Sequence, residues 1–183
     1  MLITAKNIPT HPNRYSNSLD IQLVPGSMIR LRGANGSGKT TVLRVLGGLS
    51  YQPQSMLESV SSIFIADKPL LISGLLVAEQ LAYYQCLYQC YAHCLDDFGL
   101  EDLSDQAVSD LSYGQSQRLS LARLWLSKDK VWLLDEPFNG LDQCGKKWLS
   151  EYIMKHLISG GGVIYASHIP IELSIKSVEM VLS

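Results

Sequence analysis

The chain has 183 residues and is short of charge, with 15 Lys and Arg against 17 Asp and Glu, which is 17% of the sequence and a net charge of −2. A soluble domain usually carries about 25% charged residues. Hydrophobic residues make up 46% of the chain. This composition excludes a disordered chain, a basic nucleic-acid-binding protein and a protein with an acidic tail. The length favours one domain with a sizeable core.

Strand and helix patterns alternate along the chain. Short, mainly apolar runs predict strands at residues 28–31, 63–66, 131–134 and 163–166, and the last two are typical of strands buried on both faces. Apolar residues at helical spacing predict helices between them, at residues 40–46, 117–126 and 145–157. This alternation predicts an α/β fold in which helices flank a mainly parallel sheet.

Two segments depart from the alternation. Residues 2–24 show a looser pattern that predicts a small antiparallel flank. Residues 70–109 read as two or three helices, and we expect them to form an inserted helical lobe. The predicted organisation is a single domain, with a core of residues 1–68 and 112–183 and a lobe of about 69–111.

A glycine-rich segment between a predicted strand and a predicted helix fits the pattern G-x-x-x-x-G-K-[ST]. Glycines let backbone N–H groups approach a triphosphate closely, and the next helix adds its positive N-terminal end. Lys39 would reach the β- and γ-phosphates, and Thr40 would give its hydroxyl to Mg²⁺. The alternative, a turn that binds nothing, fits the context poorly. The predicted ATP-binding residues are Gly33, Ala34, Asn35, Gly36, Ser37, Gly38, Lys39, Thr40 and Thr41.

The predicted strand at residues 131–134 ends in two carboxylates, Asp135 and Glu136. Asp135 is placed to hold Mg²⁺ together with Thr40. Side chains alternate along a strand, so Glu136 points elsewhere and is free to orient or deprotonate the attacking water. The alternative is a pair of solvated carboxylates, but the phosphate loop favours the metal-site interpretation.

The segment Leu111-Ser112-Tyr113-Gly114-Gln115 precedes the third predicted helix. Ser112 and Gln115 have the spacing of a capping box. Gly114 also exposes backbone at a helix N-terminus, which is the setting of a second anion site. The sequence leaves both interpretations open.

The motifs follow one another in the order found in ATP-binding cassette (ABC) ATPases, which the chain resembles over nearly its whole length. The segment at 111–115 resembles the family's LSGGQ signature, with Tyr113 replacing its first glycine. This resemblance implies a head-to-tail dimer in which each signature caps ATP held by the other copy. It also implies that Asp142 is the D-loop aspartate and that His168 is the switch histidine, catalytic together with Glu136.

Two positions depart from the family pattern. A glutamine that contacts Mg²⁺ usually follows the second strand, and Lys68 stands at that position here. A lysine cannot accept a hydrogen bond from a metal-bound water, although it can contact phosphate. The identity of the aromatic residue that stacks on adenine also stays undecided between two candidates, His11 and Tyr15.

Four segments indicate one group within the ABC ATPases, and they lie at residues 66–69, 79–85, 121–127 and 131–138. They are similar to the ATPase subunits of cytochrome c maturation systems, the haem exporters. The resemblance implies a peripheral ATPase on the cytoplasmic side of the inner membrane, docked on integral transporter subunits, with ATP and Mg²⁺ as cofactors and no nucleic-acid partner. The alternatives are the ATPase of another small transporter and a soluble clamp.

Cysteines at positions 86, 90 and 94 recur every four residues and would share one helix face. They have no closed metal spacing, so we interpret them as packing residues. We also expect residues 70–95 to expose an apolar patch that meets membrane subunits and makes the isolated chain poorly soluble.

Overall fold

A computed structural model describes residues 1–11, 14–50, 52–92, 95–168, 170–171 and 177–182, with backbone only for 14–17. Across these residues the chain forms two sheets flanked by helices. The strands are β1 (Ile3–His11), β2 (Arg14–Leu23), β3 (Met28–Arg32), β4 (Met56–Ser59), β5 (Ser62–Ile65), β6 (Val131–Asp135), β7 (Gly162–Ala166) and β8 (Ser177–Val181). The α-helices are α1 (Lys39–Leu46), α2 (Val77–Tyr88), α3 (Tyr113–Leu126) and α4 (Gln143–Ile158).

The larger sheet has five parallel strands in the order β5-β6-β7-β3-β8. Every residue of β6 and β7 is buried, as their continuous apolar runs predict. Ala166 of β7 lies opposite both Leu31 of β3 and Asp135 of β6. The carboxyl ends of these strands therefore meet at one edge of the sheet, and the predicted α/β fold is confirmed.

The smaller sheet is antiparallel, in the order β2-β1-β4, and α1 packs between it and the parallel sheet. Ile3 and Leu23 from this sheet and Leu43 from α1 are fully buried in the shared core. Burying a side chain of this size stabilises a fold by about 1.5–3 kcal/mol. The antiparallel flank is therefore confirmed for β1 and β2, whereas the sequence analysis missed β4.

Helices α3 and α4 cover the other face of the parallel sheet and begin four and two residues before their predicted starts. They contact β6 through an aromatic stack in which neighbouring rings lie nearly parallel. The ring centroids of Trp125 and Tyr152 are 3.4 Å apart, and those of Trp132 and His156 are 3.7 Å apart. Burial lowers the pKa of His156 to about 4, so its ring is neutral. The members of this aromatic stack are Trp125, Trp132, Trp148, Tyr152 and His156.

Residues 70–109 form helical segments, as predicted, but those after α2 are short. Among the described residues of this segment, α2 is the one α-helix, and it is followed by 3-10 turns of three or four residues at Leu95–Phe98, Glu101–Leu103 and Val108–Asp110. Gln89 ends α2 because it adopts the left-handed conformation, with φ of 51°. The segment packs on α3 through its own apolar cluster. Among the described residues, no helix is long and apolar enough to cross a bilayer.

The end of α2 also breaks the predicted cysteine stripe. Cys86 lies on the helix and is exposed, while Cys90 lies beyond its end and packs partly against the lobe core. Cys94 lies outside the described residues. Cys86 and Cys90 therefore do not share a helix face.

Candidate active site

A cavity of about 380 Å³ opens at the carboxyl edge of the parallel sheet. It is formed by the loop between β3 and α1 and by the segments that follow β5 and β6. This is the edge at which α/β sheets bind ligands. The residues that line it are His11, Asn35, Gly36, Gly38, Lys39, Thr40, Thr41, Asp67, Asp135 and Glu136.

The loop after β3 depends on glycine where it passes the antiparallel sheet. Gly38 has φ of 93°, and a Cβ there would overlap the main-chain oxygen of Thr10. The helix α1 starts at the next residue, Lys39. The N–H groups of its first turn have no acceptor within the helix, and residues of that turn, Lys39, Thr40 and Thr41, line the cavity. The predicted phosphate loop therefore has the geometry that an anion needs.

The lysine of the loop is held by main-chain oxygens. Lys39 Nζ donates to the carbonyl oxygens of Gly33 at 2.9 Å and Ala34 at 3.0 Å. Gly33 borders a neighbouring cavity that Lys39 also lines. The Ser37 side chain lies behind the loop, where its buried Oγ has no hydrogen-bond partner among the described residues. Most of the predicted loop residues thus surround one cavity.

The predicted metal ligands are in contact. Thr40 Oγ1 donates to Asp135 Oδ2 over 2.6 Å. Asp135 is only 5% exposed, and this burial is the main reason why its pKa is raised, with the charges of Asp67 and Glu136 adding to the effect. A hydroxyl and a carboxylate are hard oxygen donors of the kind that Mg²⁺ prefers, so the donor set fits this ion.

Glu136 follows the last residue of β6, so the alternation of side chains along the strand does not set its direction, and it lines the same cavity as Asp135. It adopts a left-handed φ of 46°, a conformation that costs a side-chain-bearing residue about 1–3 kcal/mol. Glu136 Oε2 accepts from His168 N at 3.4 Å, and Oε1 lies 3.6 Å from His168 Nε2. The same Nε2 is 3.3 Å from Asn35 Oδ1. The two predicted catalytic residues are therefore neighbours beside the phosphate loop.

A buried arginine that the sequence analysis missed holds the turn carrying His168. Arg30 is 6% exposed and donates to the carbonyl oxygens of Ser167, at 3.1 and 3.2 Å, and of His168, at 2.8 Å. Its remaining nitrogen pairs with Glu179 of β8 at 3.0 Å. The sequence does contain a signal for this role, since Arg30 stands between apolar residues of strand β3. A fully buried arginine is almost always paired, so its position indicates a structural partner.

At the turn after β5, the residue that faces the cavity is Asp67. Lys68, which stands at the family's glutamine position, is exposed and does not line the cavity. Asp67 Oδ1 accepts from Asn139 Nδ2 at 2.8 Å, and its main-chain oxygen accepts from Tyr113 Oη at 3.0 Å. Asp67 is therefore a further site residue that the sequence analysis missed.

The signature segment lies outside the cavity of its own chain. Ser112 and Gln115 form the predicted capping box, with Ser112 N donating to Gln115 Oε1 at 2.8 Å and Gln115 N donating to Ser112 Oγ at 3.3 Å. The Tyr113 ring packs over Gly140, where a Cβ would overlap it. None of the signature residues lines the cavity, and these are Leu111, Ser112, Tyr113, Gly114 and Gln115.

Asp142 caps α4. Its Oδ1 accepts from Gly145 N at 2.7 Å and from Arg118 Nη2 at 2.8 Å, and these two bonds lower the pKa of Asp142. Asp142 is therefore the N-cap residue of α4. Of the two candidates for adenine stacking, His11 borders the cavity, and the side chain of Tyr15 lies outside the described residues.

Comparison with known proteins agrees with this geometry. A family model described as ABC transporter matches residues 16–139. Cytochrome c biogenesis ATP-binding export proteins CcmA are similar in sequence: that of Pseudomonas aeruginosa is 34% identical over 188 residues, covering 92% of this chain and 91% of the relative. That of Novosphingobium aromaticivorans is 36% identical over 156 residues, covering 85% of this chain and 82% of the relative.

Solved structures show the same fold. An ATP binding subunit of an ABC transporter superposes with a TM-score of 0.82 at 21% identity, covering 92% of this chain and 80% of the other. An ABC transporter ATP-binding protein from Pyrococcus furiosus has a TM-score of 0.80 at 19% identity, covering 98% and 96%. The parallel sheet, the phosphate loop and the Asp–Glu pair define an ATPase of the phosphate-loop class. Within that class, the chain belongs to the ABC transporter family.

Proposed function

We propose that this chain is the ATP-hydrolysing subunit of a membrane transporter complex that handles haem for cytochrome c biogenesis. The observation that carries the ATPase chemistry is the cavity that joins the phosphate loop to Asp135 and Glu136. The cytochrome c assignment is supported by the relatives, which are named as cytochrome c biogenesis export proteins and cover most of the chain.

Thr40 and Asp135 are the residues that would hold Mg²⁺ beside the phosphates of ATP. The ion would neutralise charge that develops on the transferred phosphoryl group. Lys39, held over the loop by two carbonyl oxygens, moves only its flexible end to reach phosphate oxygens. The first turn of α1 supplies N–H donors for the same anion.

Glu136 takes the part of the base that orients or deprotonates water. Its carboxylate accepts from the main chain of His168, and this contact fixes the histidine beside it. With its proton on Nε2, His168 can donate to a γ-phosphate oxygen. Arg30 holds the turn of His168 through its bonds to the carbonyl oxygens of Ser167 and His168.

The hydrolysing form is proposed to be a head-to-tail dimer of two copies. The signature residues lie outside the cavity of their own chain, and the exposed N-terminus of α3 is free to cap ATP held by a second copy. Asp142, exposed at the start of α4, would lie at the same interface. An ATP-binding cassette protein with this fold, at a TM-score of 0.77 and 18% identity, has been solved as a post-hydrolysis dimer with ADP and Pi.

Integral transporter subunits are the proposed membrane partners, met at the cytoplasmic side of the inner membrane. The lobe offers them an apolar surface, since Leu70 is 68% exposed, Leu87 57% and Tyr91 70%. Exposed apolar patches mark interaction sites. A net charge of −2 gives no electrostatic basis for a nucleic-acid partner.

Two substitutions test the ATPase assignment. Glu136→Gln should lower the hydrolysis rate about 100- to 10,000-fold, because it removes a general base, while ATP binding is retained and the ATP-bound dimer accumulates. Lys39→Ala should abolish ATP binding, and the exposed Lys147→Ala is its matched control with wild-type behaviour. Phosphate release and equilibrium ATP binding are the measurements. A wild-type chain that binds no ATP would contradict the proposal.

A pull-down from native membranes in mild detergent tests the partner assignment. Integral subunits of the cytochrome c maturation system should be recovered with the chain. Recovery of a nutrient or drug transporter instead would overturn the haem assignment and leave the ATPase chemistry intact.

A further inference from the structure

The turn after β5 brings a second carboxylate to the pair formed by the Thr40 hydroxyl and Asp135. Strands β5 and β6 are parallel neighbours, with Ile65 opposite Leu134. Asp67 therefore follows the carboxyl end of β5 at the sheet edge where Asp135 ends β6, and it is close enough for its charge to act on Asp135. Asp67 accordingly lines the same cavity as Thr40 and Asp135.

Asp67 is fixed in this position by bonds that leave one oxygen free. Asn139 Nδ2 donates to Oδ1 at 2.8 Å, and Tyr113 Oη donates to the main-chain oxygen at 3.0 Å. No described residue donates to Oδ2. The carboxylate thus keeps an acceptor for a further donor while its orientation is set by Asn139.

Lys68 has the opposite properties. Its side chain is exposed and lies outside the cavity lining. An ammonium group has three donors and no acceptor, so it repels a cation and cannot receive a proton from water bound to one. The order of the motifs placed Lys68 at the family's glutamine position, but the residue of this turn that lines the cavity is Asp67.

We infer that Asp67, and not Lys68, is the residue of this turn that faces the Mg²⁺ of the nucleotide site and accepts a hydrogen bond from its water shell. This inference rests on the proposed Mg²⁺ site of Thr40 and Asp135. Mg²⁺ keeps several of its waters when a protein binds it, and a carboxylate is a stronger acceptor for their protons than a neutral amide. Asp67 is therefore a positioning residue for the metal.

The inference is tested by the effect of Mg²⁺ on the binding of a fluorescent ATP analogue to the full chain. The quantity measured is the ratio of the dissociation constants without and with Mg²⁺. Asp67→Ala should reduce this ratio about 10-fold, the size of effect typical of groups that support a metal site through its ligands. The metal-free affinity should not fall. Lys68→Ala, the matched control on the adjacent residue, should keep the wild-type ratio.

Asp67→Asn is the second variant, because it keeps an oxygen for Asn139 and the main-chain oxygen for Tyr113 and removes only the charge. It should give a ratio between those of the wild type and Asp67→Ala. Asp135→Asn in the same assay distinguishes failure of the Asp67 inference from failure of the proposed Mg²⁺ site. If Asp135→Asn loses the Mg²⁺ effect and Asp67→Ala does not, Asp67 has no role and the proposed metal site stands. If Asp135→Asn also keeps the effect, the metal site itself is wrong.

Discussion

At the scale of single residues, the site concentrates negative charge where water is scarce. Asp135 is almost fully buried, with Asp67 and Glu136 close enough to raise its pKa further. Burying a charged group is costly unless a partner compensates it. A bound cation would remove much of this cost, so the residues that serve the metal also destabilise the chain when it is free.

Because the buried charge of Asp135 is only partly compensated without a cation, we predict that Asp135→Asn stabilises the nucleotide-free chain. A carboxyl whose folded pKa is raised above the unfolded value of about 4 makes the native state lose stability as pH rises through that window. At neutral pH the charge is therefore a net cost. Asparagine keeps an oxygen for Thr40, and the melting temperature should rise by about 2–4 °C per kcal/mol relieved, as measured by thermal unfolding without metal.

Asp142→Asn is the control with the opposite sign. The Gly145 N–H and the Arg118 guanidinium lower the pKa of Asp142, so its charge stabilises the fold above the unfolded pKa and the melting temperature should fall. An unchanged or lower melting temperature for Asp135→Asn would contradict the argument.

The sequence was informative for residues whose chemistry depends on spacing along the chain. Lys39, Thr40 and Asp135 stand in motifs that already specify an anion and a cation. Arg30 and Asp67 could not be found this way. The role of Arg30 requires β7 and β8 to lie beside β3, and that of Asp67 requires β5 to lie beside β6, which no local pattern states.

At the scale of elements, burial decided what could be predicted. Strands β6 and β7 are buried throughout, so their apolar runs stood out. Strand β4 is exposed at every residue and β8 at nearly every one, and both lie at sheet edges, where backbone hydrogen bonds hold them. The end of α2 at Gln89 depends on a left-handed conformation that its Tyr- and Cys-rich neighbours do not signal.

The capping box gives an element-scale prediction for α3. Ser112→Ala removes the acceptor for Gln115 N and should lower the free energy of unfolding by about 1 kcal/mol, measured by urea denaturation of the nucleotide-free chain. The control is Ser109→Ala, because Ser109 is exposed and its hydroxyl bonds only to the adjacent Asp110. Equal effects of the two substitutions would mean that the capping box adds no stability.

At the scale of the whole molecule, the low content of charged residues is accompanied by exposed hydrophobic side chains in one segment. The segment from residue 70 to 91 exposes six large hydrophobic side chains, where a surface rich in charge would ordinarily lie. A patch of this kind is costly in water and useful at an interface. The exposed residues are Leu70, Ile72, Leu76, Tyr83, Leu87 and Tyr91.

Substitution within this patch should separate assembly from nucleotide binding. The pair Leu87→Gln and Tyr91→Ser should raise the solubility of the isolated chain, abolish recovery of the integral partner from membranes, and leave ATP affinity unchanged. Ile158→Gln is the matched control, since Ile158 is 75% exposed at the end of α4 and should keep the partner. A wild-type chain that remains monomeric at high concentration would count against an interface here.

The aromatic stack has an optical consequence. All three tryptophans of the chain belong to it, and none lines the nucleotide cavity. Closely stacked indoles and phenols couple their electronic transitions, so the near-ultraviolet circular dichroism and the intrinsic fluorescence report the contact of α3 with α4 and β6. The phosphate loop contributes nothing to either signal. A change in tryptophan fluorescence on adding ATP would therefore record a change at the contact of α3 with α4 and β6, away from the phosphate loop.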